Sequence, residues 1–217
     1  MPYTKTDAFP SHGVPDASDD ITGGIGWTGM ANLEEFLSAG GMLITLGNGS
    51  TLALEGGLAR GVSATSNDAV TPGSELQTTF LKPDHPIAYG YAPQGSAFRS
   101  NYTVYNIQRA HRDQVVMQWG SKPMKDDRDE EAEKDAKDEN DQEADETDLL
   151  VSGGIKNGDS LQGHPAILDI PVGKGRVIAF NFNPMHRDLN RSDHRFLWNA
   201  ILNWQRILQT APAMDES

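Results

Sequence analysis

Cysteine is absent from this chain of 217 residues, and its absence excludes several kinds of chemistry at once. Without a thiol the chain has no disulfide, no thiolate zinc ligand and no cysteine nucleophile. The same absence does not assign a compartment, because a chain without cysteine is compatible with both oxidising and reducing surroundings.

Long apolar runs and basic clusters are also lacking. No stretch reaches the roughly 18 apolar residues that cross a bilayer, and residues 1–14 lack the basic start and apolar core of a signal peptide. Lysine and arginine number 18 against 31 aspartates and glutamates, so the formal net charge is −13. Because phosphate contacts need clustered basic residues, the composition predicts no nucleic-acid partner, and the hydropathy predicts no membrane partner.

The acidic surplus is concentrated in residues 125–148. This segment contains 14 acidic and 4 basic residues, so it carries 10 of the 13 net negative charges. Like charges at this density repel each other and the segment has no apolar group to bury, which predicts a disordered, solvated loop. Its role is either a tolerated surface insertion or a polyanionic arm for basic partners or cations.

Alternating helix, strand and turn signals in the first half predict an α/β fold. Residues 28–39 place their apolar side chains on one helical face, and Gly40 and Gly41 supply a stop. "MLITL", residues 42–46, is a short apolar run typical of a strand buried on both faces. The tight turn "GNGS" follows, and then a short helix begins at Thr51. This order indicates a strand whose carboxyl end leads directly into a turn.

The second half is richer in strands. Candidate strands lie at residues 75–81, 97–107, 114–120 and 149–155. Residues 166–182 predict a hairpin around Gly173 and Gly175, with its second arm deep in the sheet. The last element is a helix with an apolar stripe from Phe196 to Leu208 and Ser192 as its N-cap. We therefore expect an extended lead-in at 1–26, one α/β domain at 27–209 and a disordered tail at 210–217.

Three segments resemble a known family. They are "DDITGGIGWTGMANLEEFLSAGGMLITLGNGSTLALEGGL", "HPIAYGY" and "GHPAILDIPVGKGRVIAFNFNPMHRDLNRSDHRFLWNAILNW". They are similar to the C-terminal, class I glutamine-amidotransferase-like region of bacterial M14-family zinc carboxypeptidase proteins, over about residues 19–205. The resemblance implies a flavodoxin or class I amidotransferase-like sheet flanked by helices, lacking its first strands, with the hairpin as an antiparallel addition.

The resemblance also implies a partner and a location. In that family the peptidase domain lies upstream and holds the zinc, so this chain is expected to bind no cofactor itself. The expected partner is that peptidase domain, upstream or on a separate chain, and the context is periplasmic or extracellular. If the first strands lie elsewhere, residues 42–46 or a neighbouring strand present an unpaired edge, and the chain can self-associate.

The signatures of both enzyme activities in that family are incomplete here. None of the six histidines is followed three residues later by glutamate, so the His-x-x-Glu zinc pair is missing. Matched by position with an amidotransferase triad, Gly49 or Ser50 stands at the nucleophile, Asn183 at the histidine and Met185 at the glutamate. Asparagine cannot relay a proton at neutral pH, and methionine cannot orient an imidazole by charge. The sequence therefore predicts a catalytically inactive accessory domain.

Polar residues at two strand ends form the candidate binding site. They are Asn48, Gly49, Ser50, Asn183, His186, Arg187, Arg191 and His194. Open α/β sheets bind ligands where strand carboxyl ends meet turns, so we expect the two groups to lie close together. The arginines favour a small anion or a peptide carboxylate as the ligand.

Two other interpretations of this segment stay open. One is an ordered loop held by ion pairs, without a ligand. The other is a hydrolase or metal-dependent site, in which Ser50 is the nucleophile and His186 its base, or in which His186, Asp188, Asp193 and His194 hold a metal. The interleaved arginines oppose a bound cation, and no metal ligand is assigned.

Overall fold

The protein has a mixed α/β fold in a computed structural model that describes residues 7, 24–65, 67–124 and 149–210. The chain divides into two compact units, Met1–Leu33 and Glu34–Ser217. In the first unit, residues 7 and 24–33 are described, and residues 26–33 begin the first helix. The predicted acidic loop at 125–148, nearly all of the lead-in and all but the first residue of the predicted tail lie outside the described residues.

The described residues form four α-helices and nine strands. The helices are α1 (Gly26–Ser38), α2 (Thr51–Glu55), α3 (Arg191–Leu202) and α4 (Trp204–Gln209). The strands are β1 (Met42–Leu46), β2 (Val62–Thr65), β3 (Ser74–Phe80), β4 (Gln94–Arg99), β5 (Val104–Ile107), β6 (Val115–Trp119), β7 (Leu150–Ser152), β8 (Pro165–Val172) and β9 (Gly175–Phe180). None of these helices is long and apolar enough to cross a membrane.

Seven strands form one sheet, in the order β1–β9–β8–β6–β3–β4, with β7 pairing to β3 beside β6. β2 and β5 form a separate antiparallel pair. β1 and β9 run parallel, while the other pairs of the main sheet are antiparallel. The α/β prediction is therefore confirmed, with helices flanking a mostly antiparallel sheet. The predicted hairpin is also confirmed, because β8 and β9 pair in register around the turn at Gly173.

The second arm of the hairpin packs tightly against the junction between α1 and β1. All six residues of β9 are buried. A Cβ atom built on Gly175 would lie 2.2 Å from the carbonyl oxygen of Gly41 and 2.4 Å from that of Leu37. Gly41 also accepts a hydrogen bond from the Arg176 amide at 3.0 Å. Only glycine fits at position 175 without moving this backbone.

The core is organised around aromatic rings between the sheet and α3. Phe182 contacts three other rings, those of Trp119, Phe180 and Phe196, each with its centroid 5.7 Å away and close to perpendicular. All four side chains are at most 1% exposed. Edge-to-face packing of this kind adds to the apolar area that the rings bury. Phe196 therefore fixes α3 against the carboxyl ends of β6 and β9.

The prediction that residues 42–46 are buried on both faces is wrong. Only Thr45 is buried, and the other residues of β1 are half-buried. The reason is the position of the strand: β1 lies at one end of the sheet and, among the described strands, pairs only with β9. An unbroken apolar run indicates a strand in the core, but it does not distinguish a central strand from an edge strand.

Two further strand predictions are corrected. Residues 97–107 form two strands, β4 and β5, which belong to different sheets. β4 ends at Arg99, whose buried guanidinium donates to the carbonyl oxygens of Ser100 and Tyr102 in the loop between the two strands. The four-residue strand β2 was missed, since "VSAT" is too short to show a clear alternation.

The C-terminal helical segment is broken, and its predicted N-cap is wrong. α3 ends at Leu202 and α4 begins at Trp204, with Asn203 between them outside helical geometry. α3 begins at Arg191, so Ser192 lies within its first turn. There the Ser192 hydroxyl lies 3.4 Å from Oδ1 of Asp193 and caps no free backbone amide.

Candidate functional site

The turn after β1 and the turn after β9 are joined through their backbones. Gly47 adopts a left-handed conformation with φ 52°, and its amide donates to the carbonyl oxygen of Phe182 at 3.1 Å. A Cβ atom at this position would lie 2.7 Å from the Tyr102 ring. Glycine is needed here for its positive φ and for this close approach. The expectation that the two strand ends meet is supported by this contact.

Ser50 is buried and its hydroxyl is fully engaged. Its side chain is 0% exposed, and Oγ lies 2.9 Å from Oγ1 of Thr45. The Tyr105 hydroxyl lies 2.5 Å from Ser50 Oγ and 2.9 Å from the carbonyl oxygen of Phe180. Since a carbonyl only accepts, Tyr105 donates to Phe180 and Ser50 donates to Tyr105. Burial raises the pKa of the Tyr105 phenol, so it keeps its proton at neutral pH.

Asn48 and Gly49 lie on the exposed side of the same turn. Asn48 Oδ1 accepts from the Thr103 amide at 3.3 Å, and its carbonyl oxygen accepts from the Thr51 hydroxyl at 2.7 Å. Nothing lies within 4 Å of a Cβ atom built on Gly49. The turn therefore presents backbone to solvent at Gly49, while Asn48 ties it to the loop before β5.

Asn181, directly after β9, is the centre of a buried polar network. Its Oδ1 accepts from Trp119 Nε1 at 3.1 Å and from Arg99 Nε at 3.3 Å, and its Nδ2 donates to the Thr103 carbonyl at 2.6 Å. Arg99 is only 1% exposed, and its Nη2 donates to the Tyr102 carbonyl at 2.6 Å. Burial lowers the pKa of Arg99 to about 10, which still leaves the guanidinium charged at neutral pH.

Sequence reasoning missed both Arg99 and Asn181. Arg99 alternates with the fully buried Ala97 in β4, so the two-residue period of a strand predicts the same inward face for both. Asn181 interrupts the apolar run of residues 177–182, and a polar residue inside such a run indicates a buried hydrogen-bonding role.

The candidate residues directly after β9 differ in their contacts and backbone geometry. Asn183 Oδ1 accepts from the Met185 amide at 3.0 Å, which is an Asx turn. The His186 ring stacks on Phe98 with centroids 4.8 Å apart. Arg187 has a positive φ of 52°, and its neighbour Asp188 has one of 54°.

Asp188 forms ionic contacts with two side chains of α3. Arg191 Nη2 lies 3.4 Å from Oδ2 of Asp188, and His194 Nε2 lies 3.7 Å from Oδ1. The side chains of Arg191 and Asp188 are 80% and 68% exposed, so the pair is well solvated. Exposed pairs of this kind contribute little to stability, about 0–1 kcal/mol. These contacts are of the kind expected if the loop is held by ion pairs.

Asp193 connects the first turn of α3 to β4. It is 1% exposed, and its Oδ2 accepts from the Phe98 amide at 2.9 Å. Burial raises the pKa of Asp193 to about 7, against the lowering effect of the Phe98 hydrogen bond, and Glu75 adds to the rise. Glu75 itself accepts from Asn190 Nδ2 at 2.6 Å.

The candidate side chains of the two turns point to different partners. Within residues 24–65, 67–124 and 149–210, no hydrogen bond or ion pair joins the Asn48 or Ser50 side chain to a candidate side chain of residues 183–194. In the same described part of the chain, no three histidine, aspartate or glutamate side chains are grouped as a metal would require. That the eight candidate residues form a binding site is still a prediction.

Comparison with known proteins gives no family for the chain. Neither the family models nor the curated proteins contain a match. A β-galactosidase from Bacillus circulans sp. alkalophilus is similar in structure, with a TM-score of 0.44 and 13% identity over 82% of this chain. Two cytoplasmic proteins of Salmonella typhimurium have TM-scores of 0.44 and 0.43 at 12% identity, over 81% and 83% of it. The chain spans 20% of the β-galactosidase and 59% of each Salmonella protein, and these likenesses support no inference about function.

Proposed function

We propose that this chain is a catalytically inactive accessory domain that binds a partner protein along the edge of β1 with which no other described strand pairs. The partner is an M14-type zinc carboxypeptidase domain, as the sequence resemblance implies, and the role is to dock on that domain or to regulate it. The observation that carries the proposal is an apolar groove beside β1, in the part of the sheet where a further strand can be added.

The groove has a volume of about 560 Å³ and is lined mainly by apolar groups. Met42 and Ile44 of β1 form its floor, and Phe36, Ile201 and Trp204 stand around it. The last three are 49%, 42% and 44% exposed, although each is large and apolar. Apolar side chains gathered in one concave patch indicate a protein contact more strongly than the same side chains scattered over the surface.

β1 itself has none of the features that usually protect a sheet edge. Its five residues, "MLITL", contain no charge and no proline, and its register with β9 is unbroken. Natural edge strands are commonly shielded by lysine, proline or a bulge, because their free backbone groups pair with other chains. An extended segment of the partner with alternating apolar side chains would pair with β1 and fill the groove.

The contacts of Ser50 support the inactive part of the proposal. A serine nucleophile needs a hydroxyl that a substrate can reach and a base that takes its proton. The Ser50 hydroxyl is buried and is bonded to Thr45 and Tyr105, and a phenol with a raised pKa is no base at neutral pH. Asn183, at the position of the amidotransferase histidine, uses its side chain within its own turn.

Two tryptophans provide a matched test of the docking surface. Trp204 lines the groove, whereas Trp198 is similarly exposed, at 50%, on α3 and does not line it. We expect Trp204→Ala to weaken binding of an M14-type carboxypeptidase domain at least tenfold, roughly 1.4 kcal/mol or more, because aromatic anchors dominate such interfaces. Trp198→Ala should leave the affinity within about twofold of wild type. Isothermal titration calorimetry measures both.

The proposal fails if the wild-type chain does not bind the peptidase domain, or if the two variants weaken binding equally. It also fails if the purified chain hydrolyses an amide or ester and loses that turnover in Ser50→Ala or His186→Ala. Such a loss would instead establish the hydrolase interpretation of the two turns.

A further inference from the structure

A second, polar cavity lies at the end of β9 opposite to Asn181. Its volume is about 380 Å³, within the range of roughly 300–1,000 Å³ typical of small-molecule sites. The loop after β3, the turn before β6 and the β8–β9 hairpin form its wall. The charged and polar side chains that matter are those of Lys82, His85, Gln114, Asp169 and Arg176.

Arg176 is a buried cation whose hydrogen-bond donors are largely unused. It is 3% exposed, and its Nε lies 3.6 Å from Oδ1 of Asp169. Among the residues that the structure describes, its guanidinium has this ion pair and no hydrogen bond. Guanidinium carries five N–H donors, and burying them without acceptors is unfavourable. The side chain lines the cavity, so a ligand there can supply the acceptors.

His85 and Asp169 hold this arginine in place. His85 Nε2 lies 3.1 Å from Oδ2 of Asp169, and His85 Nδ1 accepts from the Ile87 amide at 3.2 Å. The backbone contact leaves Nδ1 without a proton, so Nε2 carries the proton and donates it to Asp169. Asp169 is thereby fixed on one oxygen by His85 and faces Arg176 with the other. A carboxylate held in this way orients the guanidinium for a ligand.

The other polar side chains that line the cavity include a lysine, a glutamine and two aspartates. Lys82 is half-buried, and its ammonium forms no hydrogen bond or ion pair with a described residue. Gln114 is buried, and its Oε1 has no hydrogen-bond partner in the described part of the chain. The carboxylates of Asp84 and Asp113 line the cavity from exposed positions, where water screens them. Asp169 matches the buried charge of Arg176, so the donor groups left without a partner among the described residues are the remaining guanidinium N–H groups and the Lys82 ammonium.

We propose that this cavity binds a small carboxylate ligand, with Arg176 holding the carboxylate and Lys82 acting as the second cation. A planar carboxylate matches the fork of a guanidinium better than a spherical anion does. An N–H donor elsewhere on the ligand can satisfy Gln114 Oε1. This site shares no residue with the groove beside β1 or with the turns after β1 and β9, so it stands or falls separately from the proposed function.

The test is a thermal-shift titration of the whole chain with sodium acetate, sodium succinate and L-glutamate, against sodium chloride at the same ionic strength. A ligand that binds only the folded state raises the melting temperature with its concentration. We expect a saturable rise with at least one of the three carboxylates and none with chloride. Lys82→Gln and Arg176→Lys should each weaken the apparent Kd about tenfold, the loss expected for one charge-assisted hydrogen bond.

The control variant is Lys174→Gln, which removes a positive charge from the exposed hairpin turn, outside the cavity wall. It should keep the wild-type Kd. Lys82 is half-buried at the wall, so Lys82→Gln decides the question even if Arg176→Lys does not fold. The proposal is overturned if no carboxylate raises the melting temperature beyond chloride, or if Lys82→Gln binds as tightly as Lys174→Gln.

Discussion

Individual polar residues inside this protein are held by partners from distant parts of the chain. Asn181 forms hydrogen bonds with Trp119, Arg99 and Thr103, so one amide side chain joins the ends of β6 and β4 and the loop before β5 to the carboxyl end of β9. Tyr105 does the same for Ser50 and Phe180. Buried networks of this kind stabilise a structure when their members are paired. Here the polar side-chain atoms of Asn181, Trp119, Arg99, Ser50 and Tyr105 each have a partner, whereas the buried Thr103 hydroxyl has none among the described residues. The carboxyl of Asp193 differs, because burial shifts its titration into the neutral range.

Asp193 should make the stability of the protein depend on pH. Its folded pKa of about 7 lies above the ordinary value of 3.8, so the folded state binds the proton more tightly than the unfolded state does. The stabilisation is complete below about pH 4 and is lost as the pH rises to about 7, a change on the order of 4 kcal/mol. Asp193→Asn should flatten this part of the profile, because an amide keeps the acceptor for Phe98 and does not titrate.

The measurement is urea denaturation of both proteins at several pH values between 4 and 8. Wild type should lose stability relative to Asp193→Asn across this range. The variant Asp188→Asn, which changes an exposed carboxylate nearby, serves as the control and should follow wild type. A constant difference between wild type and Asp193→Asn at every pH would contradict the assignment.

Among the elements, β9 has the most constrained position. It lies between β1 and β8, is buried along its whole length, and passes the end of α1 so closely that its first residue must be glycine. β1 is less constrained, because β9 is its one neighbour among the described strands and four of its five residues are half-buried. The sheet is thus tightly packed at β9, whereas β1 has an edge with which no described strand pairs.

The close approach of β9 predicts a large effect of one methyl group. Gly175→Ala would place a Cβ atom against two backbone carbonyl oxygens, which cannot rotate away as a side chain can. We expect a loss of about 2–4 kcal/mol in the free energy of unfolding. Gly95→Ala is the matched control, since Gly95 also lies in a strand but has nothing within 4 Å of its Cβ position. That change should stay within about 0.5 kcal/mol of wild type. Equal midpoints of urea denaturation for the two variants would show that the backbone at Gly175 relaxes freely.

Two surfaces formed by the described residues differ in their chemistry. The groove beside β1 is apolar and open, and it lies beside backbone groups that can pair with another strand. The cavity beside Arg176 is lined by charged and polar side chains, among which His85, Asp169 and Arg176 contact one another. We propose a protein partner for the first and a small carboxylate for the second.

Without its partner, the isolated chain should self-associate through β1. Ile44 lies in the middle of β1 and lines the groove, so Ile44→Lys places a charge where a second strand would pair. We expect light scattering to show a mean mass that rises with concentration for wild type and stays monomeric for Ile44→Lys. Val151→Lys, at an exposed apolar position on β7, should behave as wild type does. A wild-type protein that is monomeric at all concentrations would contradict this use of the edge.

Local sequence determined whether most segments are helix, strand or turn. It determined little about which other segments they pack against. The glycines at 40 and 41 ended α1, and Gly173 placed the hairpin turn, because turn chemistry acts over a few residues. The run 42–46 was recognised as a strand, yet its place at the edge depends on which other strands are present. Ser192 matched a capping residue, but the helix began one residue earlier.

The sequence by itself determined what chemistry is impossible without cysteine, where the net charge is concentrated, and that helix and strand alternate in the first half while strands dominate the second. Tertiary structure alone decided that Ser50 is buried under Tyr105, 55 positions away, and that His85 and Asp169, 84 positions apart, orient Arg176. The physical reason is range. Apolar periodicity and turn preferences act between near neighbours, whereas burial and pairing of a polar group depend on chain segments that only the complete fold brings together.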